Sequence, residues 1–401
     1  MNNVNKILRI IRGVAWRIVH PSYIITNVIF KLYQYLPIDE NMMIFHTEGD
    51  YCDNGLVFYK YLQGLKDGKK RKFVWLVYHP ENFHNTENTK FVKFSWNGWK
   101  LKQEYYISRT RFLFETHNLV QRRLRKNQTY VSLWHGTGFK APKGGGHGQT
   151  VFDYVLGTST PLQPYQGHFV GCDPSLVLNL GFPRNDFLID KSDIGVNNPI
   201  LDKPNYKKVI VWMTTFKTSD NKSLSEDACD NETGLPLLSS VEQLSLFNKY
   251  LAEKNVFMII KIHHLQAAKE AFHEKFSNIK ILQDSELLQK DIPLYEMVAK
   301  TDALITDYSS IYIDYILLNK PMAFVLEDLQ KYTGSRGFMV DNIEDYLPGP
   351  HIYKMEELCS FIDNVANDVD THKEERAKML PFYHDHPDNK SCERIKNYFN
   401  L

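Results

Sequence analysis

The stretch "LITDYSSIYIDYILL", residues 304–318, begins with the pattern of a buried strand and ends with that of a helix. A strand that passes directly into a helix is the repeating unit of α/β proteins with a parallel sheet. In open parallel sheets, ligands bind beyond the carboxyl ends of the strands. The polar residues between the two patterns, among them Asp307, Ser309 and Ser310, are therefore predicted to lie at a ligand site.

Ser309 and Ser310 directly precede the predicted helix, where the first backbone N–H groups have no partner within the helix. These donors, the positive end of the helix dipole and the two hydroxyls together favour a phosphate or pyrophosphate. Serine is also an ordinary N-cap residue, which satisfies the same N–H groups without a ligand. Both interpretations fit this stretch when it is taken alone.

Length, charge and cysteine content narrow the class of protein. The chain has 401 residues, 43% of them hydrophobic, which predicts two domains. The formal net charge is +1, and no basic run is interleaved with aromatic residues, so nucleic acid is not a predicted partner. The five cysteines lie far apart without a CxxC pair, which argues against a disulfide framework and against a zinc site. A reducing, cytoplasmic setting fits best.

Residues 1–38 differ from the rest of the chain because they contain five basic residues and no acidic one. Apolar residues recur there at roughly helical spacing, but no window reaches the ~20 uncharged apolar residues of a membrane-spanning helix. Arginines within the apolar stretch and the lack of a cleavage site argue against a signal peptide. One interpretation is a basic amphipathic helix on an anionic membrane surface, and the other is a helix packed on its own domain.

Beyond residue 38, short apolar runs rich in β-branched and aromatic residues alternate with polar helical patterns. This alternation predicts a parallel sheet covered on both faces. It breaks where Gly, Asn and Pro cluster, and then restarts, so a linker with an α/β domain on either side is predicted. The predicted bounds are 39–190 for the first domain, 191–205 for the linker, 206–370 for the second domain and 371–401 for a C-terminal helical segment.

Several basic residues fall at predicted strand ends. His135 follows the apolar run "TYVSLW", with Lys140 five residues later, and an unperturbed imidazole pKa near ~6.5 suits a general base. Lys261 and His263 end a strand of the second domain, where they face the same predicted anion. Arg336 is flanked by glycines that let the backbone approach a ligand closely. Any one of these residues alone is more often structural.

Motifs spread along the chain resemble one family when they are taken together. They are "WHGTGFK" (134–140), "GFPRND" (181–186), "KIHH" (261–264), "DALITDYSSIYIDYILLNKP" (302–321), "EDLQKYTGSRGFMVD" (327–341) and "DNKSCERIKNYF" (388–399). In this order and at these separations they resemble the CDP-glycerol glycerophosphotransferase family, the teichoic acid primases and polymerases of bacteria. The resemblance covers roughly residues 41–400.

The resemblance implies a GT-B fold, with two Rossmann-like domains facing each other across a cleft and the nucleotide held mainly by the C-terminal one. It also implies that an acceptor hydroxyl attacks the β-phosphorus of CDP-glycerol or CDP-ribitol, so that CMP leaves. His135 is implied as the general base, with His263 as a second catalytic residue. The substrate-binding residues that it implies are Gly136, Thr137, Lys140, Arg184, Asp186, Lys261, Thr306, Asp307, Ser309, Ser310, Asp314, Arg336 and Gly337.

Three functions are compatible with these observations. The first is a phosphotransferase on the cytoplasmic face of the bacterial cell membrane, which adds glycerol phosphate or ribitol phosphate to a lipid-linked or glycan acceptor during teichoic acid, capsule or surface-polysaccharide synthesis. The second is a GT-B glycosyltransferase that uses a nucleotide sugar. The third is a catalytically silent scaffold in a glycan-export assembly. No cofactor and no metal site are predicted beyond the CDP-alditol donor.

Overall fold

The computed structural model of the protein describes residues 21–96, 99–142, 151–190, 206–214, 231–262, 274–290 and 292–401. The chain divides into two compact units. The first comprises Met1–His135 and Val151–Leu156, and the second comprises Gly136–Thr150 and Gly157–Leu401. The predicted linker lies outside the described residues, so the domain bounds derived from the sequence stay a prediction.

The first unit is built on a parallel sheet. Its strands are β1 (Asp39–His46), β2 (Lys72–Val77), β3 (Thr89–Lys93), β4 (Thr110–Glu115), β5 (Thr129–Ser132) and β6 (Tyr154–Leu156). They follow the order β3-β2-β1-β4-β5-β6, and every neighbouring pair is parallel. Phe45 on β1 stacks on Trp75 of β2 and Phe114 of β4, with ring centroids 5.3 and 5.2 Å apart. The helices of this unit are Pro21–Tyr33, Asp53–Gly64 and Leu101–Arg109.

The second unit contains another parallel sheet. The unit also contains the short strand β7 (Val177–Leu178), and the strands of the sheet are β8 (Lys208–Met213), β9 (Val256–Lys261), β10 (Ile279–Leu282), β11 (Ala303–Thr306), β12 (Met322–Val325) and β13 (His351–Ile352). The six strands β8 to β13 form one sheet in the order β10-β9-β8-β11-β12-β13, with parallel pairing throughout. All residues of β9, β11 and β12 are buried, because apolar clusters cover both faces of the sheet.

Helices lie between and after the strands of the second unit. They are Gln163–Val170, Pro183–Ile189, Val241–Glu253, Asp284–Gln289, Leu294–Ala299, Ile311–Tyr315, Leu329–Ser335, Met355–Ala366, Lys373–Tyr383 and Ser391–Phe399. Ser240 caps the helix Val241–Glu253 by accepting a hydrogen bond from the Gln243 N–H. The helix predicted after Ser310 is short, since Ile311–Tyr315 passes into a 3-10 turn at Ile316–Leu318.

Both sheets reverse their strand order at one point. The chain runs outward from β1 to β3 and then returns to the other side of β1 as β4, and it repeats this path with β8, β10 and β11. In such sheets the crevice at the carboxyl ends of the two strands that flank the reversal is the preferred ligand site. The topology therefore predicts ligand-binding residues after β1 and β4 in the first unit and after β8 and β11 in the second.

The helix Pro21–Tyr33 has one packed face and one exposed face. Phe30 is buried, and the Arg122 guanidinium lies 4.8 Å from its ring centre. The opposite face exposes four apolar side chains by 40 to 59%, namely Ile24, Ile25, Val28 and Leu32. No helix in the described part of the chain is long and apolar enough to span a membrane. Residues 1–20 lie outside the described residues, so the basic amphipathic helix stays a prediction there.

Candidate active site

The segment after β11 has the placement that the sequence predicts. Thr306 donates its hydroxyl to the Met213 carbonyl at 2.6 Å, which ties the end of β11 to the end of β8. Asp307 is fully buried and accepts a hydrogen bond from the Ser309 N–H at 2.8 Å. Ser309 and Ser310 are half-buried beyond the strand end. Thr306 and Asp307 therefore shape the loop that presents the two serines.

Gly136 brings two other predicted residues together. A methyl group at this position would lie 2.7 Å from the Ser310 Oγ and 3.0 Å from the Arg184 Nη2. The φ angle of Gly136 is +128°, a backbone conformation that side chains rarely adopt. Glycine thus lets the backbone approach a hydroxyl and a guanidinium closely. Both groups are donors of the kind that bind anionic oxygens.

Arg184 is held in this position by a buried ion pair. Its Nη2 lies 2.7 Å from the Asp314 carboxylate, and the two side chains are 7% and 1% exposed. The same carboxylate accepts hydrogen bonds from the Asn185 amide at 3.1 Å and from the Tyr295 hydroxyl at 2.5 Å. The Arg184 guanidinium also lies 4.6 Å from the Tyr295 ring centre. The observed partners of Asp314 make it an anchor for Arg184, and its implied role in substrate binding stays a prediction.

The loops that carry Lys140 and Arg336 pair with each other. Lys140 and Phe338 form an antiparallel bridge, and the Met339 N–H donates to the Phe139 carbonyl at 2.7 Å. The Arg336 Nε donates to the Ala141 carbonyl at 2.8 Å. The two sequence motifs "WHGTGFK" and "SRGF" therefore form one structural element, although about 195 residues separate them.

Lys140 and Gly337 have clear local roles in this element. The Lys140 Nζ lies 5.3 Å from the Tyr308 ring centre, within the range of a cation–π interaction. Tyr308 directly precedes the two serines, so the contact links the cation to the predicted phosphate loop. Gly337 has a φ of +73°, which a side chain would strain.

Three further predicted residues lie in different surroundings. Thr137 is buried, and within the described residues its hydroxyl has no hydrogen-bond partner, which is costly unless a ligand or water supplies one. The Lys261 ammonium donates to the Ile262 carbonyl at 2.7 Å. Asp186 accepts from the backbone N–H groups of Ser391 and Cys392, both at 2.8 Å, and so caps the helix Ser391–Phe399. His263 lies outside the described residues.

His135 ends the apolar run that forms β5 in the first unit. Its Nδ1 lies 3.0 Å from the Thr116 carbonyl. A carbonyl only accepts, so Nδ1 carries the proton and Nε2 is the basic nitrogen of the neutral ring. The preceding Trp134 has a φ of +53°, and the Asn54 amide donates to the Leu133 and Trp134 carbonyls at 3.2 and 2.9 Å. Buried hydrogen bonds thus hold the strained backbone that presents the base.

The structure adds His117, which the sequence analysis did not select. Its ring lies parallel to that of His135, with centroids 4.1 Å apart and planes 2° apart. The His117 Nε2 lies 3.1 Å from the Glu48 carboxylate, and its Nδ1 lies 2.7 Å from the Thr116 hydroxyl. The signal was present in "TRFLFETH" (110–117), because this histidine follows a strand end just as His135 does.

A second histidine and carboxylate lie deeper in the first unit. Burial raises the pKa of Glu115 to about 7, although the Tyr130 hydroxyl and the Val120 N–H donate to it. Burial also lowers the pKa of His46 to about 4, and the His46 Nδ1 lies 2.8 Å from the Leu76 carbonyl. Both side chains are completely buried, so they belong to the core and not to a substrate surface.

The comparisons with known proteins agree with the sequence motifs. The family model of the CDP-glycerol:poly(glycerophosphate) glycerophosphotransferases matches residues 28–400. A teichoic acid glycerol-phosphate transferase of Staphylococcus aureus is 25% identical over 402 residues, which cover 91% of this chain and 94% of the relative. A teichoic acid poly(glycerol phosphate) polymerase of Staphylococcus epidermidis is 26% identical over 337 residues. That alignment covers 77% of this chain, and the chain spans only 43% of the polymerase.

A solved structure has the same fold. The wall teichoic acid polymerase TagF matches 100% of this chain and 98% of its own chain, with a TM-score of 0.70 and 22% sequence identity. This likeness confirms the predicted GT-B fold class with two α/β domains. The match of the family model extends over nearly the whole sequence. The chain therefore belongs to the CDP-glycerol:poly(glycerophosphate) glycerophosphotransferase family.

Proposed function

We propose that this protein transfers glycerol phosphate or ribitol phosphate from a CDP-alditol to a hydroxyl group of a lipid-linked or glycan acceptor in teichoic acid or surface-polysaccharide synthesis. The observation that carries the proposal is the meeting of Gly136, Ser310 and Arg184 in a member of this family. A hydroxyl and a fixed guanidinium close to a glycine backbone suit the pyrophosphate of such a donor. The same family membership disfavours the nucleotide-sugar transferase and the silent scaffold.

The proposed reaction is a displacement at phosphorus. The acceptor oxygen forms a bond to the β-phosphorus, the bond between that phosphorus and the oxygen bridging to the α-phosphorus breaks, and CMP leaves. The acceptor proton passes to the Nε2 of His135, which the Thr116 carbonyl keeps in the basic form through Nδ1. In phosphoryl transfer, proteins mainly position groups and neutralise charge, which are the tasks proposed for Arg184, Arg336 and Ser310.

A donor screen tests this function directly. The full chain is incubated with CDP-glycerol, CDP-ribitol or UDP-glucose, with a lipid-linked polyol-phosphate acceptor, and the released nucleotide is measured. We expect CMP from one or both CDP-alditols and no UDP. Release of UDP alone would instead support the glycosyltransferase. Absence of turnover with every donor would favour the scaffold.

Two substitutions in the second unit test the proposed donor site. Ser310→Ala should weaken CDP-glycerol binding about tenfold, and Arg336→Ala should weaken it more, because bonds to a charged donor are roughly twice as strong as neutral ones. Isothermal titration calorimetry measures both dissociation constants. Ser335→Ala is the matched control, since the Ser335 hydroxyl donates to the Tyr332 carbonyl at 3.2 Å in its own helix and the substitution is expected to leave donor affinity unchanged. Unchanged binding in both test variants would move the donor site elsewhere.

We further propose that the N-terminal region holds the protein on the anionic inner surface of the cell membrane. The helix Pro21–Tyr33 supports this, because its outer face exposes Val28 and Leu32 by 53 and 59%. Basic residues near anionic lipid are each worth roughly 1 kcal/mol, and the exposed apolar side chains add to that. A lipid-linked acceptor stays at the membrane, so confinement there raises the frequency of encounter.

The membrane proposal predicts the behaviour of three variants. Removal of residues 1–20, and separately the double substitution Val28→Ser and Leu32→Ser, should each reduce sedimentation with phosphatidylglycerol vesicles at least about fivefold at low salt. Leu246→Ser serves as the control, because Leu246 is equally exposed, by 57%, on a helix of the second unit. Vesicle binding that is equal in all variants would contradict the proposal, and donor binding should stay normal in each.

A further inference from the structure

The pair of stacked imidazoles in the first unit is the feature that the proposed reaction does not yet use. His117 and His135 follow the neighbouring parallel strands β4 and β5, so both side chains emerge at the same edge of the sheet. Their rings are parallel within 2° and their centroids are 4.1 Å apart. The two flat side chains are therefore stacked, and His117 contacts one face of the proposed base.

His117 is itself fixed from two sides. Glu48, in the loop after β1, lies 3.1 Å from its Nε2, and the Thr116 hydroxyl lies 2.7 Å from its Nδ1. The His117 and Glu48 side chains are 23 and 40% exposed, so both are accessible from the surface of the unit. They follow β4 and β1, the two strands that flank the reversal of strand order, where parallel sheets place their functional residues.

We propose that His117 is a positioning residue for the proton transfer, held by Glu48 and acting through its stacking contact with His135. The inference rests on the proposed function, in which His135 is the general base. The hydrogen bond from the His135 Nδ1 to the Thr116 carbonyl sets the tautomer. The parallel ring of His117 supports one face of the imidazole against tilting and thereby helps to aim Nε2 at the acceptor hydroxyl.

The orientation of a general base has a large effect on the rate, because a misplacement of about 1 Å at a reacting centre costs on the order of 10²-fold. His117 does not exchange a proton with the substrate in this scheme, so its acid–base chemistry is not needed. The flat ring that stacks on His135 is needed. Glu48 acts one step further out, as the hydrogen-bond acceptor that keeps the His117 ring in the stacked plane. A ring without nitrogens at position 117 should therefore replace much of the function.

Two His117 variants separate stacking from other roles. His117→Ala should lower kcat of CMP release at least about tenfold, with the KM for CDP-glycerol changed less than about twofold. His117→Phe keeps a flat ring over His135 but has no nitrogen to contact Glu48, so it should recover kcat only to about the level of Glu48→Ala, roughly three- to tenfold below the unsubstituted protein. His79→Ala is the control, because the His79 side chain is 66% exposed and pairs with the equally exposed Glu81 in the same unit. It should leave kcat and KM unchanged.

Two Glu48 variants test the outer contact independently. Glu48→Gln keeps an oxygen that accepts from the His117 ring and should retain most of kcat, whereas Glu48→Ala should lower kcat about three- to tenfold. Full turnover in His117→Ala, or a His117→Phe variant as slow as His117→Ala, would overturn the inference. Failure of the underlying function looks different: the unsubstituted protein would then release no CMP from either CDP-alditol, and normal turnover in His135→Ala would show that another residue is the base.

Discussion

The substitution His135→Ala is expected to lower kcat at least about 10²-fold, the usual contribution of a positioned general base, while donor affinity changes little. The expected loss follows from the geometry around the ring. The Thr116 carbonyl holds the proton on Nδ1, so Nε2 is ready to accept the proton of an attacking hydroxyl. The proposed phosphate contacts belong to other residues, so the donor should still bind.

CMP release gives the rate of the His135 variant, and calorimetry with CDP-glycerol gives its donor affinity. His135→Gln should be nearly as slow as the alanine variant, because an amide does not accept the proton at neutral pH. His168→Ala is the control, since His168 is exposed on the helix Gln163–Val170. Turnover close to normal in a folded His135→Ala protein would remove this residue from the mechanism, and the proposed function would then need another base.

The sequence was sufficient for the parts of the site that depend on local pattern. An apolar run followed by polar residues marks the end of a buried parallel strand, and this rule located His135 after β5 and Ser310 after β11. Within each sheet, parallel pairing places the carboxyl ends of the strands at one edge. Gly136, Arg184 and Ser310 come from different motifs, and the structure places the Arg184 and Ser310 side chains beside Gly136.

The partners of the charged residues could not be predicted from the sequence, because they depend on contacts between positions that are far apart in the chain. Arg184 and Asp314 are 130 residues apart, and Asp186 and Ser391 are 205 apart. A carboxylate in a sequence motif is the same residue whether it binds a ligand or caps a helix. The motif alone therefore does not distinguish these two roles. Only the fold shows that Asp186 accepts from the N-terminus of the helix Ser391–Phe399.

His117 was missed for a different reason. The strand "TRFLFETH" contributes an acid at Glu115 and a base at His117, and the same strand-end rule applies to both. The fold separates them, since Glu115 is completely buried and the His117 side chain is 23% exposed. His117 matters because it stacks on His135, which follows the neighbouring strand. Stacking between two rings produces no repeating pattern in a sequence, so sequence analysis does not detect it.

The second large effect is expected for Asp314→Ala, which should lower the free energy of unfolding of the second unit by about 3–5 kcal/mol. The cost arises because the substitution leaves the Arg184 guanidinium, which is 7% exposed, without the carboxylate that lies 2.7 Å from it. The Asn185 amide and the Tyr295 hydroxyl lose the same acceptor. Urea unfolding measures the change. Glu286→Ala is the control, because its lysine partners are about one-third exposed and such pairs are worth at most about 1 kcal/mol.

A double substitution separates the two roles of the buried pair. Arg184→Met combined with Asp314→Leu removes both charges and fills the space with apolar atoms, so it should be less destabilising than Asp314→Ala alone. The same double variant should bind CDP-glycerol weakly, because the guanidinium beside Gly136 and Ser310 is gone. Normal stability of Asp314→Ala together with lost donor binding would contradict the anchoring role. Asp314 would then act on the donor itself, as the sequence motif alone predicts, and Arg184 would be held in place by its contacts with the aromatic rings of Tyr295 and Phe182.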